Sequence, residues 1–502
     1  MYDLYKPLRN KLRQYDVWSG LAAVYHFTQF LQFKKPLPAP LRFPQLAWKG
    51  PYDLGIYEWE MLNLAREIML NSGQTGRSMM SWDAVAGAIN LIKRIEGDQR
   101  GRDAAEDDIF YELVRIANRQ FDWQGGLNST LISRFFMIID DARLRPQVVD
   151  EFSMTPSELY QITLSLTGHL LGRPTIDLPV QNQINAVAPE ATARLLERLS
   201  LPLSEHRART QALTSYDLNW PYNPSSLVEF PFIHLENSLF CPAPALFLER
   251  ITKGLYFDLV RRGADFANSY GFAFEDFVGK VIRAADRDGR FAFEGSRKYG
   301  PSRARKDSVD WVVWDEDAVL FVECKASRIK LGGKIDLANR LTMQGEMKKL
   351  AAFIGQTYQT LTHALEGQYG FWTPDTRKIY PMIVTLDNWQ RFGFQITDLL
   401  AGLVRENLKM RGVATAIVDT YPYTVCAIED FEQAIQIMSS RGIKTVMSRK
   451  IDGEQRSWDL LAVLLNFFKE DLAKVKPLFD WGFVPVGLSS RRSAGGERPK
   501  IG

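Results

Sequence analysis

Two short apolar runs separated by three acidic residues constrain the fold of this chain more than any other segment. Residues 309–314 and 318–322 are rich in Val, Trp and Phe, and Asp315, Glu316 and Asp317 lie between them. β-Branched and aromatic residues favour strands, and a short polar segment between two such runs favours a turn. We therefore predict a β-hairpin across these residues.

Charged residues stand at the ends of these runs. Asp310 is on the first predicted strand, and Glu323 and Lys325 end the second. Because strand side chains alternate between two faces, Glu323 and Lys325 point to the same face. Two carboxylates beside a lysine suit a divalent metal and a reaction that develops negative charge. The alternative is a salt bridge between Glu323 and Lys325 on an edge strand.

In a metal-dependent phosphodiesterase, Asp310 and Glu323 would supply carboxylate oxygens to Mg²⁺, and the main-chain carbonyl of Cys324 would supply a third oxygen. Mn²⁺ is expected to substitute for Mg²⁺. Lys325 would orient the attacking water or stabilise the developing negative charge. Glu275, on the preceding predicted helix, would hydrogen-bond a metal-bound water or help to hold a second ion.

An acid-any-lysine triplet such as Glu323–Lys325 is not sufficient evidence for a metal site. Glu346 and Lys348 repeat it inside residues 339–365, which have a helical pattern and in which the pair is expected to be solvated. The first triplet differs because Glu323 follows an apolar strand and has Asp310 on the partner strand.

Residues 228–390 resemble the PD-(D/E)XK nuclease superfamily, whose common core has the same order of helix, three strands, helix and strand. The resemblance implies a restriction-endonuclease-like mixed sheet flanked by helices, and a nuclease with Asp310, Glu323, Lys325 and Glu275 in its active site. Val309 stands where the superfamily name has proline, a position that varies widely. The resemblance also suggests a role in bacterial defence against phage or plasmids.

Basic residues flank the predicted hairpin. The candidates for nucleic-acid contact are Arg297, Lys298, Arg303, Arg305 and Lys306 before it, Arg328 and Lys330 after it, and Lys349 and Gln356 on one face of the following helix. The formal net charge of the chain is only +3, so any contact with nucleic acid must come from a local basic surface. Solvated loops and a solvated helix face are the alternatives.

The chain is predicted to be an α/β protein with a mainly helical N-terminal domain. We expect a recognition or scaffold domain at 1–225, a nuclease-like core at 226–395, a helical extension packing on the core at 396–488 and a disordered tail at 489–502. Proline and asparagine clusters near residues 219–224 suggest the first boundary. The N-terminal domain would bind a partner protein or form a homodimer.

Local patterns also predict single elements. Residues 105–117 and 246–260 have helical patterns, and Thr155 and Glu158 have the spacing of a helix capping box. Residues 379–386 predict a strand with Pro381 at its beginning or at an edge, and residues 415–418 are a candidate strand.

Several function classes do not fit the sequence. The three cysteines, Cys241, Cys324 and Cys426, are far apart, which favours a reduced, cytoplasmic protein. No apolar run is long enough for a membrane span, and no GxxxxGK[ST] loop is present. The sequence therefore predicts a Mg²⁺-dependent nuclease that prefers DNA to RNA. An RNA nuclease and a catalytically silent nucleic-acid-binding scaffold stay open as alternatives.

Overall fold

The computed structural model describes residues 2–43, 55–100, 116–117, 119–120, 128–180, 187–217, 219–327, 340–389 and 394–479 of the 502-residue chain. These residues form a mixed α/β structure. None of the helices in these ranges is both long and apolar enough to cross a lipid bilayer. All three cysteines are buried, and none of them forms a disulfide.

The first part of the chain is mainly helical, as predicted. Its helices are α1 (Tyr2–Leu12), α2 (Val17–Phe33), α3 (Glu58–Asn71), α4 (Trp82–Arg100), α5 (Ser129–Ile139), α6 (Arg145–Phe152), α7 (Pro156–Leu170), α8 (Pro189–Arg198) and α9 (Leu203–Ala212). The capping box predicted for α7 is present, because the Thr155 side chain accepts the N–H of Glu158 and the Glu158 carboxylate accepts the N–H of Thr155. Most of a helix predicted at residues 105–117 lies outside the described residues.

Strands between and after the last three of these helices form a four-stranded sheet. Its strands are β1 (Thr175–Asp177), β2 (Ser200–Leu201), β3 (Phe232–Leu235) and β4 (Ser238–Phe240), in the order β1-β4-β3-β2. One helix was expected over residues 246–260, but two form: α10 (Pro244–Ile251) and α11 (Leu255–Leu259). The chain turns tightly at Gly254, where a Cβ atom would lie 2.4 Å from the Arg250 carbonyl oxygen.

The second sheet contains the predicted hairpin. Its strands are β5 (Ala292–Gly295), β8 (Trp311–Trp314), β9 (Ala318–Lys325), β10 (Lys378–Thr385) and β11 (Thr424–Ala427), in the order β11-β10-β9-β8-β5. Strands β9, β10 and β11 are parallel, whereas β5 and β8 are antiparallel to their neighbours. We call it the central sheet. A separate two-stranded ribbon is formed by β6 (Lys298–Tyr299) and β7 (Lys306–Asp307).

Helices cover both faces of the central sheet. They are α12 (Ala264–Ala285), α13 (Arg340–Leu365), α14 (Phe394–Met410), α15 (Ile417–Thr420), α16 (Ile428–Arg441), α17 (Ile443–Ile451), α18 (Leu460–Phe467) and α19 (Lys469–Leu472). Val313 and Leu320 share a core with α12 and α16. On the other face, Val312 and Phe321 share a core with α13 and α14. This is the mixed sheet between helices that the sequence predicts.

Buried residues on both sides of position 225 belong to common cores. Leu159 of α7 and Phe247 of α10 lie in the core that contains Leu320, and Trp220 and Leu246 lie in the core of the N-terminal helices. The domain boundaries at 225, 395 and 488 stay predictions, and the tail at 489–502 lies outside the described residues.

Two strand predictions need correction. Residues 415–418 were a candidate strand, but they lead into helix α15, and the strand that joins the sheet is β11. Pro381 was expected at a strand beginning or an edge, yet it lies inside β10, an interior strand. The pairing of β10 with β11 begins only at Met382, so that side of β10 is open at Pro381. The missing N–H of proline is tolerated there.

Candidate active site

The central hairpin brings Asp310, Glu323 and Lys325 to one end of the sheet. Trp311 pairs with Val322, so Asp310, one residue before β8 rather than on it, lies opposite Glu323. An Asp310 carboxylate oxygen accepts the N–H of Cys324 at 2.6 Å. Three residues that are separated in sequence are therefore adjacent at the carboxyl end of β9.

Glu323 and Lys325 form an ion pair inside the protein. The Lys325 ammonium lies 2.7 Å from a Glu323 carboxylate oxygen, and the Glu323 side chain is only 4% exposed. The alternative interpretation placed this salt bridge on an edge strand. Strand β9 lies between β8 and β10, so it is an interior strand and that part of the alternative is wrong. A buried ion pair must overcome the loss of hydration of both groups, which makes it weak support for a purely stabilising role.

Glu275 approaches this cluster from helix α12. Burial, and then the negative charge of Glu323, raise the pKa of Glu275 to about 7, while the Lys325 ammonium opposes the change. The Glu275 main-chain carbonyl accepts the indole N–H of Trp311 at 3.0 Å, which ties this turn of the helix to the start of β8. The structure thus brings the fourth predicted residue into electrostatic contact with the other three.

Three carboxyl groups and one ammonium group make up this cluster. Burial raises the pKa of Asp310 well above its ordinary value, and the charges of Glu323 and Glu275 raise it further; Lys325 and the Cys324 N–H act in the opposite direction. Burial lowers the pKa of Lys325, but the neighbouring carboxylates outweigh burial and raise it. Three carboxylates with a single ammonium form a site that attracts a further cation.

The donor chemistry of the cluster fits Mg²⁺. Mg²⁺ prefers oxygen ligands and often takes only one or two protein carboxylates, keeping several waters. The N–H and C=O of a strand residue point to the same side, so the Cys324 carbonyl faces the side of Asp310. Within the described ranges, however, no three His, Cys, Asp or Glu side chains are close enough to form a ready metal cage. Asp310, Glu323 and the Cys324 carbonyl are the candidate ligands.

The cluster lies at the end of the sheet between two helices. Glu275 comes from α12 on one face, and the Lys325 ammonium lies 5.4 Å from the centre of the Phe353 ring of α13 on the other. Phe353 is a contact that the sequence analysis missed. Its spacing, four residues after Lys349 and three before Gln356, is the signal that would have placed it on the same helix face.

The predicted nucleic-acid contacts fall into three groups. Arg297, Lys298, Arg303, Arg305 and Lys306 are exposed on and beside the β6–β7 ribbon. On α13, Lys349 lies 6.0 Å from the centre of the Trp389 ring, and Gln356 is exposed. Arg328 and Lys330 lie outside the described residues.

Glu346 and Lys348, the second copy of the triplet, lie on α13. Lys348 is exposed, as expected for a solvated residue. Glu346 is half-buried, and one of its carboxylate oxygens is buried without a hydrogen-bond partner, so the expectation of a solvated pair is wrong for Glu346. The two copies differ in structure, because the first ends a strand and the second lies within a helix.

No family model and no curated protein matches this chain. The functional interpretation therefore depends on the chemistry of the cluster around Glu323 and on the charge of the surface beside it. Both are properties of residues that the fold brings together from α12, β8, β9 and the β6–β7 ribbon.

Proposed function

We propose that this chain is a Mg²⁺-dependent nuclease that cleaves DNA, with Mn²⁺ able to replace Mg²⁺. The observation that carries the proposal is the convergence of Glu275, Asp310, Glu323 and Lys325 at one end of the central sheet. A site with excess negative charge favours a divalent cation. Exposed basic residues on the neighbouring ribbon favour a polyanionic substrate.

Each side chain has a distinct role in this proposal. Asp310, Glu323 and the Cys324 carbonyl would hold Mg²⁺, which, when bound, supplies Lewis-acid charge neutralisation and lowers the pKa of a coordinated water. Lys325 donates hydrogen bonds to a phosphate oxygen and stabilises the negative charge of the transition state. Glu275, with its pKa raised to about 7, can accept and return a proton near neutral pH.

The test compares the two acid-any-lysine triplets of the chain. Lys325→Ala and Asp310→Ala should each reduce kcat for Mg²⁺- or Mn²⁺-dependent DNA cleavage by at least about 100-fold. The first removes the ammonium that contacts the reacting phosphate, and the second removes a ligand of the metal. Lys348→Ala, in the exposed position of the second triplet, should leave kcat unchanged. Initial rates on supercoiled, linear and single-stranded DNA, with EDTA as the metal-free control, provide the measurement.

Two controls make the result interpretable. Far-UV circular dichroism and thermal unfolding should show that the Lys325 and Asp310 variants are folded. Full cleavage by either folded variant would contradict the proposal. RNA cleavage at an equal or higher rate would favour the RNA nuclease, and binding without cleavage by the wild-type protein would favour the silent scaffold.

A further inference from the structure

The β6–β7 ribbon continues the antiparallel pairing of β5 with β8 beyond the candidate site. Pairing of β5 with β8 ends at Gly295 and Trp311, and pairing resumes between Lys298 and Asp307. Two residues lie between these pairs on the first strand and three on the second, so the strand that carries Asp310 contains one extra residue. An extra residue of this kind is a β-bulge, which changes the direction of nearby side chains at the end of a sheet. We call residues 296–308 the arm.

The arm has a fixed base and a free tip. Tyr299 is 5% exposed, its hydroxyl lies 2.7 Å from His363 Nδ1 of α13, and its ring packs on Tyr369 at 4.9 Å between ring centres. At the tip, the Ala304 N–H donates to the Pro301 carbonyl at 2.8 Å and closes a β-turn. Gly300, directly before this turn, has φ of 87°, a backbone conformation that glycine adopts without strain. The arm is therefore a preformed projection rather than a loose loop.

The charge of the arm is almost entirely positive. It carries five basic residues and one acidic residue, Asp307, on a chain whose net charge is only +3. Residues 301–307 are all exposed, and they include Arg303, Arg305 and Lys306. Arg297 differs from these, because it pairs with Glu294 at 2.6 Å and lies over the Phe371 ring. Lys306 Nζ lies 3.5 Å from His363 Nε2 of α13, at the base of the arm. The exposed positive charge at the tip is therefore that of Arg303 and Arg305.

The dimensions of the tip suit one groove of duplex DNA. From Gly300 to Arg305 the chain goes out and back, so the tip projects roughly 10 Å, about three residues of extended chain. The B-DNA major groove is about 12 Å wide and 8.5 Å deep and admits a two-stranded ribbon. The major groove of duplex RNA is too narrow for side chains to read.

We infer that the arm enters the major groove of duplex DNA and holds the duplex so that its backbone reaches Asp310 and Glu323. Arg303, at the third position of the turn, faces base edges, and Arg305 and Lys306 face phosphates on either side of the groove. This inference rests on the proposed nuclease function, since it names the form of nucleic acid that the candidate site would take.

The experiment measures binding in EDTA, where no metal-dependent cleavage occurs. Fluorescence anisotropy would compare the wild-type chain, the double variant Arg303→Gln with Arg305→Gln, and the tip control Ser302→Ala. The probes are a 25-base-pair DNA duplex, its single strand, and an RNA duplex of the same sequence. The double variant should bind duplex DNA about 10- to 100-fold more weakly. The slope of log Kd against log salt should fall by about one, because Arg305 is the replaced residue that contacts a phosphate.

Binding of the double variant to single-stranded DNA and to duplex RNA should change less than about threefold, and Ser302→Ala should match the wild type on all probes. Unchanged binding to duplex DNA would overturn the inference, and an equal loss on duplex RNA would overturn the assignment to the major groove. Because the tip is exposed, thermal unfolding should be unaffected by the substitutions. The cleavage assay with Lys325→Ala tests the nuclease proposal, and the binding assay in EDTA tests the arm inference. Failure of one proposal is therefore distinguishable from failure of the other.

Discussion

At the scale of single residues, Gly279 of α12 packs closely against Trp311 beside the candidate site. A Cβ atom at Gly279 would lie 2.1 Å from a Trp311 ring carbon. Gly279→Ala should therefore displace Trp311, lower the free energy of unfolding by about 1–3 kcal/mol and reduce nuclease activity, because Trp311 bonds to the Glu275 carbonyl. Urea unfolding and cleavage rates measure the two effects.

Gly271 provides a matched control on the same helix. A Cβ atom there would meet no heavy atom within 4 Å. Gly271→Ala should raise the free energy of unfolding by about 0.5–1 kcal/mol, because alanine favours helix more than glycine does. Equal stabilities of the Gly279 and Gly271 variants would contradict the packing argument.

The sequence permits prediction of the residues at the site but not of all their contacts. Asp310, Glu323 and Lys325 could be predicted because charged residues at the ends of apolar strands are uncommon. The hydrogen bond from Cys324 to Asp310 could not, since it depends on the register in which the two strands pair. The contact of Lys325 with Phe353 depends on where α13 packs, which local sequence does not determine.

At the scale of elements, the sequence predicted the helices and strands that form through interactions between residues close in sequence. The hairpin β8–β9 and helix α7 have strong propensity, turn and capping signals in their own sequences. Strand β11 was missed because it has only four residues and is defined by parallel pairing with β10. Residues 415–418 have β-branched side chains, but tertiary packing places Ile417 and Val418 in a short helix instead.

His206 links helix α9 to strand β3 and should give stability a specific pH dependence. Its Nε2 lies 3.0 Å from the Phe232 carbonyl, which can only accept, so Nε2 carries the proton and Nδ1 accepts from the Ser226 hydroxyl at 2.7 Å. Burial lowers the pKa of His206 to about 4, against the opposing effect of the Phe232 hydrogen bond. The folded protein therefore holds this imidazole neutral.

The sign of the effect follows from proton binding. Between pH 6.5 and about 4, the unfolded chain binds a proton at His206 and the folded chain does not, so stability falls as the pH falls. The contribution of His206 should be about 3 kcal/mol across this window. His206→Asn should flatten this part of the dependence of urea-unfolding free energy on pH, whereas the exposed His169→Asn should not. Identical pH slopes in both variants would contradict the assignment.

At the scale of the whole molecule, one buried ion-pair network connects distant parts of the chain. Arg134 of α5 contacts Glu432 of α16 through two hydrogen bonds of 2.8 and 3.0 Å, and it contacts Glu429 at 2.8 Å. Helix α5 belongs to the N-terminal part, and α16 packs on the central sheet. Sequence patterns cannot predict a contact between residues almost 300 positions apart, because nothing local at Arg134 specifies its partner.

Arg134→Ala should lower the free energy of unfolding by about 3–5 kcal/mol, because it leaves the buried Glu432 carboxylate without its partner. Arg145→Ala is the matched control: Arg145 pairs with Asp140 at 2.8 Å but is 55% exposed, so its loss should cost less than about 1 kcal/mol. Chemical unfolding followed by circular dichroism measures both. Because α5 is held to α16 rather than to Glu323 or Lys325, kcat of the folded Arg134 variant should be unchanged. Similar stability losses in the two variants would show that the network does not hold α5 to the sheet-covering helices.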